Sequence, residues 1–221
     1  AFQDEERARM EAGLVELDGF DRSALPEAGQ LSLDLYRMSL GRSLMLDDFR
    51  HHAYALHQFS GAHTSIPSAL INIHRVTSVV DAEAYVGRLK NVETYLGEVE
   101  EQLTLRADKG FYLVDWMHPA ILESSSNVIS GQPFDDSENL SPVWSDFQAK
   151  VAKLELPEDE EARLLNAGRD ALVSQFKPAY ERFMAVVERL AQSAASDDGI
   201  WRFPDGEEYY QRLLKWFTTT D

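Results

Sequence analysis

The chain has no cysteine among its 221 residues. That excludes disulfide staples, thiolate metal sites and cysteine nucleophiles in one step. Basic residues are scarce as well. Lys and Arg number 21 against 38 Asp and Glu, a formal net charge of −17. A surface this acidic repels phosphate backbones and anionic membrane surfaces, and no Lys/Arg cluster interrupts it, so nucleic acid is excluded as a partner. No apolar run approaches the roughly 20 residues that span a bilayer. Val-Ile-Thr alternation is missing throughout, and with it the mark of half-buried strands. Gly-x-Gly-x-x-Gly, the Walker loop and Gly-x-Ser-x-Gly are absent, which leaves nucleotide binding and the usual serine-hydrolase elbow unsupported. The chain opens at Ala1, not Met, and no signal peptide is visible; the expectation is that an upstream segment was removed.

What is present is helical periodicity. Hydrophobic residues make up 44% of the chain, enough for a sizeable core. A first helix is expected over 4–17, ending near Gly19. A second starts at Pro26, with apolar positions Leu31, Leu35, Met38 and Leu44 or Met45. Residues 49–63 are aromatic and histidine-rich with weak periodicity, and read as irregular or short-helical. A short helix follows from Pro67 to His74. Ser78 and Asp81 fit a capping box, and Tyr85, Leu89, Val92, Leu96, Val99 and Leu103 form one stripe behind it. A helix from Asp115 to about Ile129 turns Trp116, Ile121 and Leu122 inward. Residues 130–142 carry every turn signal and read as the mobile segment; Trp144–Leu154 is helical. The longest helix runs over roughly 158–192, kinked at Pro178, where one hydrogen bond to Ser174 is lost. It ends in the segment 193–199. The last helix is capped by Asp205 with Glu208 as reciprocal partner, and Tyr209, Leu213, Trp216 and Phe217 form its apolar face. The fold class is all-α: a multi-helix bundle with a long kinked helix toward its C-terminal end, read as one domain over 1–221.

Six histidines invite a metal reading: His51, His52, His57, His63, His74 and His118. None is followed by Glu; His52 and His57, five apart, and His57 and His63, six apart, do not share a helical face, and a proline separates His63 from His74, so they read as hydrogen-bonded or packed side chains. Ser124-Ser125-Ser126 and Ser60-Gly61 are not nucleophile elbows. Glu207-Glu208 reads as helix-dipole complement and Asp135-Asp136 as a solvated loop. Trp201, Phe203, Tyr209, Tyr210, Trp216 and Phe217 crowd 17 residues. They suit a ligand groove or the seal of the bundle against further chain.

Four ordered blocks carry a resemblance. They are Leu31–Tyr36; Gln58-Phe59-Ser60-Gly61-Ala62-His63-Thr64 through Pro67 and Leu70; Asp81–Tyr85 with Arg88-Leu89; and Pro204–Tyr210 with Thr218-Thr219-Thr220. Together they resemble the bacterial domain of unknown function 885, a family similar to zinc metallopeptidases; residues 107–156 match poorly. The resemblance implies a larger, zincin-like helical protein with a deep groove. Its metal motif, His-Glu-x-x-Pro-Gly-His-His, has no counterpart here. The implied reading is an N-terminal, groove-forming portion whose catalytic portion lies after Asp221. No catalytic or metal residue falls in this chain, and zinc belongs to the full-length protein. Gln58, Ser60, His63, Thr64, Tyr209 and Tyr210 are the groove candidates. A peptide substrate, the missing C-terminal portion and a second copy of the chain are the expected partners. The periplasm or cell envelope, with a lipid anchor before processing, is the expected location. The alternative is a non-enzymatic helical binding or scaffold module of the envelope.

Overall fold

The structure is a computed structural model that describes residues 2–194, 196 and 199–218. Among the described residues it is all-helical, with bundle-like packing and no strand. Its helices are α1 (Phe2–Asp18), α2 (Glu27–Asp47), α3 (Ala62–Ser68), α4 (Val79–Asp108), α5 (Met117–Val128), α6 (Pro142–Ala152), α7 (Glu158–Ala171), α8 (Lys177–Ala191) and α9 (Gly206–Thr218). The chain divides into two compact units, residues 54–198 and residues 1–53 with 199–221.

The larger unit is organised around α4. Its expected stripe is the core: Tyr85, Leu89 and Leu96 are fully buried, Val92 and Leu103 nearly so, and Val99 is half-buried. Against α4 lie α7, α8 and the turn between them. That turn is the expected kink. Leu172–Phe176 forms one π-helical turn, closed by the Lys177 N–H on the Leu172 carbonyl. It stands immediately before Pro178, which has no N–H to give; slipping the register by one residue is how a 34-residue helix passes through a proline. Phe176, Tyr180 and Phe183 are fully buried; Phe176 stacks on Phe134 and Tyr180, and Phe183 on His63 of α3.

The capping box of α4 holds: Ser78 Oγ accepts from the Asp81 N–H at 3.3 Å, and the Asp81 carboxylate reaches back to the Ser78 backbone as well as to the Thr77 N–H at 3.0 Å and the Thr77 hydroxyl at 2.8 Å. Other local readings are corrected. Trp116 stands before the first turn of α5 and is half-exposed. The 130–142 loop is anchored, not loose. Asp135 accepts from the Gly131 and Ser137 amides, Phe134 is buried, and Lys177 Nζ donates to the Phe134 carbonyl at 2.9 Å.

The smaller unit packs α1 and α9 on α2. Only a few side chains are buried in it, among them Leu17, Leu33, Phe49, Phe203 and Tyr209. The expected stripe of α2 is not its core: Leu31, Leu35 and Met38 are exposed and Leu33 is inside. Asp205 does not cap α9 with an extended backbone. It sits at φ 52°, in the left-handed region, and its carbonyl accepts the Tyr209 N–H at 2.9 Å. Glu208 pairs with Arg212 at 2.7 Å instead of reaching back. Gly206 is required there, because a Cβ would run into the Ile200 carbonyl.

Candidate functional site

The turn His57–Ser60 is closed by two backbone bonds, His57 N–H to Ser60 carbonyl at 2.8 Å and the reverse at 3.2 Å. Within it His57 Nδ1 accepts from the Phe59 N–H at 3.3 Å, which puts the proton on Nε2. Nε2 then donates to Ser60 Oγ at 2.9 Å. A serine activated by histidine needs the opposite polarity, with the hydroxyl donating, so this Ser–His contact is a clasp on the turn and not a nucleophile with its base.

Gly61 follows at φ 150°, a conformation that favours glycine, with Leu56 where a Cβ would stand. From there α3 starts at Ala62, five residues earlier than Pro67. Thr64 is therefore inside the helix, its hydroxyl on the Gly61 carbonyl at 3.2 Å, and Pro67 lies in the helix interior. Gln58 is half-buried with its amide oxygen unpartnered. His63 is fully enclosed. Its ring stacks on Phe183 with centroids 6.3 Å apart, its carbonyl accepts from Tyr180 Oη at 3.0 Å, and neither ring nitrogen has a partner among the described residues. Burial, and then the nearby His57, push its pKa below the usual histidine value. Gln58, Ser60, His63 and Thr64 thus belong to one turn and helix start in the larger unit. Tyr209 and Tyr210 belong to the smaller one, where Tyr209 stacks on Phe49 at 5.7 Å and Tyr210 is half-exposed.

The larger unit also holds a cavity of about 660 Å³, a size suited to a small ligand. Two elements build it. One is a π-helical turn, Ala69–Ile73, that continues α3 and closes on the bond from the His74 N–H to the Ala69 carbonyl at 2.9 Å. The other is the face of α4 carrying Ala84, Arg88, Asn91 and Tyr95, three or four residues apart. Ile66, Leu70 and Val92 form its apolar lining, and the exposed Ile73 and Tyr95 stand with them.

His74 is the pivot. Its Nε2 donates to the Asp81 carbonyl at 3.1 Å, so Nδ1 carries the lone pair, and Arg88 Nη1 donates to it. Burial lowers its pKa, with the Arg88 and Lys150 charges adding to the effect against the Asp81 backbone bond. A neutral imidazole orients Arg88 without cancelling its charge. Among the described residues neither Arg88 nor Arg75, also on the cavity, has a carboxylate partner. Asp81 lines the same cavity but is engaged by Thr77, which lowers its pKa. Beneath the π turn, Lys150 Nζ donates to the Leu70 and Ile71 carbonyls at 2.8 and 3.0 Å while paired to Asp146 at 2.7 Å. Tyr85 Oη donates to the same carboxylate at 3.1 Å, and its pKa is raised by burial and by that charge.

The role of His74 as the holder of an arginine is not visible from the metal-ligand spacings of the histidines. The recurrence Ala84, Arg88, Asn91, Tyr95 beside the buried stripe was the available signal. Among the described residues no three His, Asp or Glu side chains converge, so zinc, implied for the full-length protein, has no fitting ligand set in them. The other histidines hold structure: His52 Nε2 lies 2.7 Å from the Pro204 carbonyl and His118 Nδ1 3.0 Å from that of Val114.

The family model described as "Bacterial protein of unknown function (DUF885)" matches residues 1–221, and the chain belongs to that family. Of the closing block of the family match, Thr218 ends α9 and residues 219–221 lie outside the described residues. A solved structure described as "The crystal structure of the putative lipoprotein from Colwellia psychrerythraea" superposes with a TM-score of 0.83 at 18% identity. The match covers 98% of this chain and 38% of that one, and at this identity it shows the fold alone. No curated protein matches the chain. No helix among the described residues is long and apolar enough to cross a membrane.

Proposed function

We propose that this chain is the ligand-holding helical part of a longer, metal-dependent peptidase of the cell envelope, in which residues outside this sequence perform the hydrolysis. The observation that carries the reading is the open cavity along α4, with apolar walls and two arginines that no acidic side chain among the described residues neutralises. Mixed walls of this kind fit a peptide, whose amides alternate with apolar side chains. The zincin-like architecture implied by the family resemblance supports the catalytic half of the reading. The lipoprotein description of the structural relative, whose chain is far longer, supports the envelope location. Within this reading Ser60 is an exposed side chain of the larger unit and His63 a buried one that stiffens the start of α3, while Tyr209 and Tyr210 belong to the smaller unit and take no part in the cavity. The exposed stripe Leu31, Leu35 and Met38 favours a second reading, a non-enzymatic interaction module.

The test is made on the longer protein. Peptide hydrolysis that is lost on chelation and restored by zinc is expected. Arg88→Gln should raise KM about tenfold while kcat stays within about twofold, the pattern of lost ground-state binding. An intact, metal-loaded longer protein that cleaves no member of a random peptide library would overturn the peptidase reading.

A further inference from the structure

We infer that the cavity along α4 receives the C-terminal carboxylate of a peptide ending in an apolar residue, with Arg88 as its principal anchor. This deepens the reading above but does not need hydrolysis to hold. Failure to cleave peptides would remove the peptidase and leave carboxylate binding standing; failure to bind carboxylate would do the reverse.

In a chain of net charge −17, an arginine has acids on almost every side, and most arginines here use them. Arg7, Arg22, Arg50, Arg163, Arg182 and Arg212 all pair with Asp or Glu. Arg88 and Arg75 face the same cavity and do not. The one acid on that cavity, Asp81, is held by the Thr77 amide and hydroxyl. A guanidinium left open in this way is matched by a planar carboxylate, which accepts two parallel N–H bonds.

The second step is orientation. Arg88 is not a free surface side chain: it rests on the lone pair of a buried imidazole whose other nitrogen is committed to a backbone carbonyl. His74 is in turn fixed edge-on against Tyr85, with centroids 5.0 Å apart. The side-chain entropy lost on binding an anion is therefore partly lost already. The third step is what lies beside the charge. Ile66, Leu70 and Val92 share the cavity with Arg88. A carboxylate with an apolar side chain on the adjoining carbon is the end of a peptide; the carboxylate of Asp or Glu sits on the side chain itself and leaves those walls unfilled. Asn91 offers an amide to the peptide group preceding it, and Arg75 supplies a second positive charge.

Calorimetric titration of the protein with N-acetyl-Ala-Ala-Leu bearing a free carboxylate is the test, with its C-terminal amide and octanoate as companions. The free acid should bind, the amide at least about tenfold more weakly, and octanoate more weakly than the tripeptide. Arg88→Gln should weaken the free acid about tenfold or more and leave the amide unchanged. Because Arg88 touches His74, its melting curve is recorded too. Should that variant fail to fold, Arg75→Gln, at an exposed residue with no carboxylate partner among the described residues, carries the test with a smaller loss in the same direction. Equal affinity for acid and amide, no binding at millimolar concentrations, or free-acid affinity unchanged in a folded Arg88→Gln variant would overturn the proposal. Octanoate binding more tightly than the tripeptide would overturn the peptide assignment.

Discussion

The ring of His74 meets the ring of Tyr85 edge-on, 5.0 Å between centroids, with both of its nitrogens turned to hydrogen-bond partners. Nε2 faces the Asp81 carbonyl and Nδ1 faces Arg88. A second proton on a histidine so placed is disfavoured, because Arg88, the group at Nδ1, is itself a donor. The cavity's positive charge therefore rests on the neutrality of one buried imidazole.

Stability should fall as pH drops below the ordinary histidine range. His63 and His74 both have folded pKa values lowered by burial, with His57 adding to the first and Arg88 and Lys150 to the second. The unfolded chain takes up protons near pH 6.5 and the folded chain only at lower pH. Their neutral forms thus contribute fully above about pH 6.5, and stability is lost below it by up to about 1.4 kcal/mol per pH unit for each histidine. It levels off once pH passes the lowered folded values. The carboxylates of Asp34, held by Arg22, and Asp135, held by Ser137 and Gly131, are lowered and add a separate loss in the acid range. Urea melts between pH 8 and 5 check this. A stability that rises as pH falls from 7 to 5.5 would contradict it.

His63→Leu should be neutral or stabilising by about 1 kcal/mol, and His63→Ala destabilising by about 2–4 kcal/mol. The ring is fully buried and neither nitrogen has a partner among the described residues, so leucine removes a desolvated polar group at similar volume. Alanine leaves a hole against Phe183. Denaturant midpoints of the two variants decide. Equal and large losses in both would mean that the imidazole makes an essential polar contact.

Two glycines should respond in opposite ways to alanine. A Cβ at Gly87, on the outer side of α4, meets nothing within 4 Å, so Gly87→Ala should stabilise by about 1 kcal/mol. At Gly206 the added carbon collides with the Ile200 carbonyl, so Gly206→Ala should displace the start of α9 and cost about 2 kcal/mol or more. Thermal melts, followed by Trp201 and Trp216 fluorescence for Gly206→Ala, check both.

The long-range skeleton was legible because periodicity reports burial directly. The α4 stripe from Tyr85 to Leu103 and the proline-bearing helix through Pro178 were readable residue by residue. What periodicity missed was the choice between two apolar faces: in α2, Leu33 is inside and Leu31, Leu35 and Met38 are out, because the smaller unit buries few side chains. Cap chemistry failed where the backbone took an unforeseen shape, as at left-handed Asp205. The helix start at Ala62 was hidden because Pro67 looks like a beginning and here sits inside. The cavity was legible only on its α4 side, through the recurrence Ala84, Arg88, Asn91, Tyr95. It depends on a π turn that swings His74 against a residue fourteen positions on, and no local spacing announces that contact.

The most direct test of the account is to offer this chain a fluorescent peptide with a free C-terminal leucine in the presence of zinc, and to follow retention and cleavage in one sample. The account predicts that the peptide is retained, that retention does not change when zinc is removed, and that no cleavage product forms. Zinc-dependent cleavage by residues 1–221 alone would contradict it, and so would a chain that retains no peptide at all.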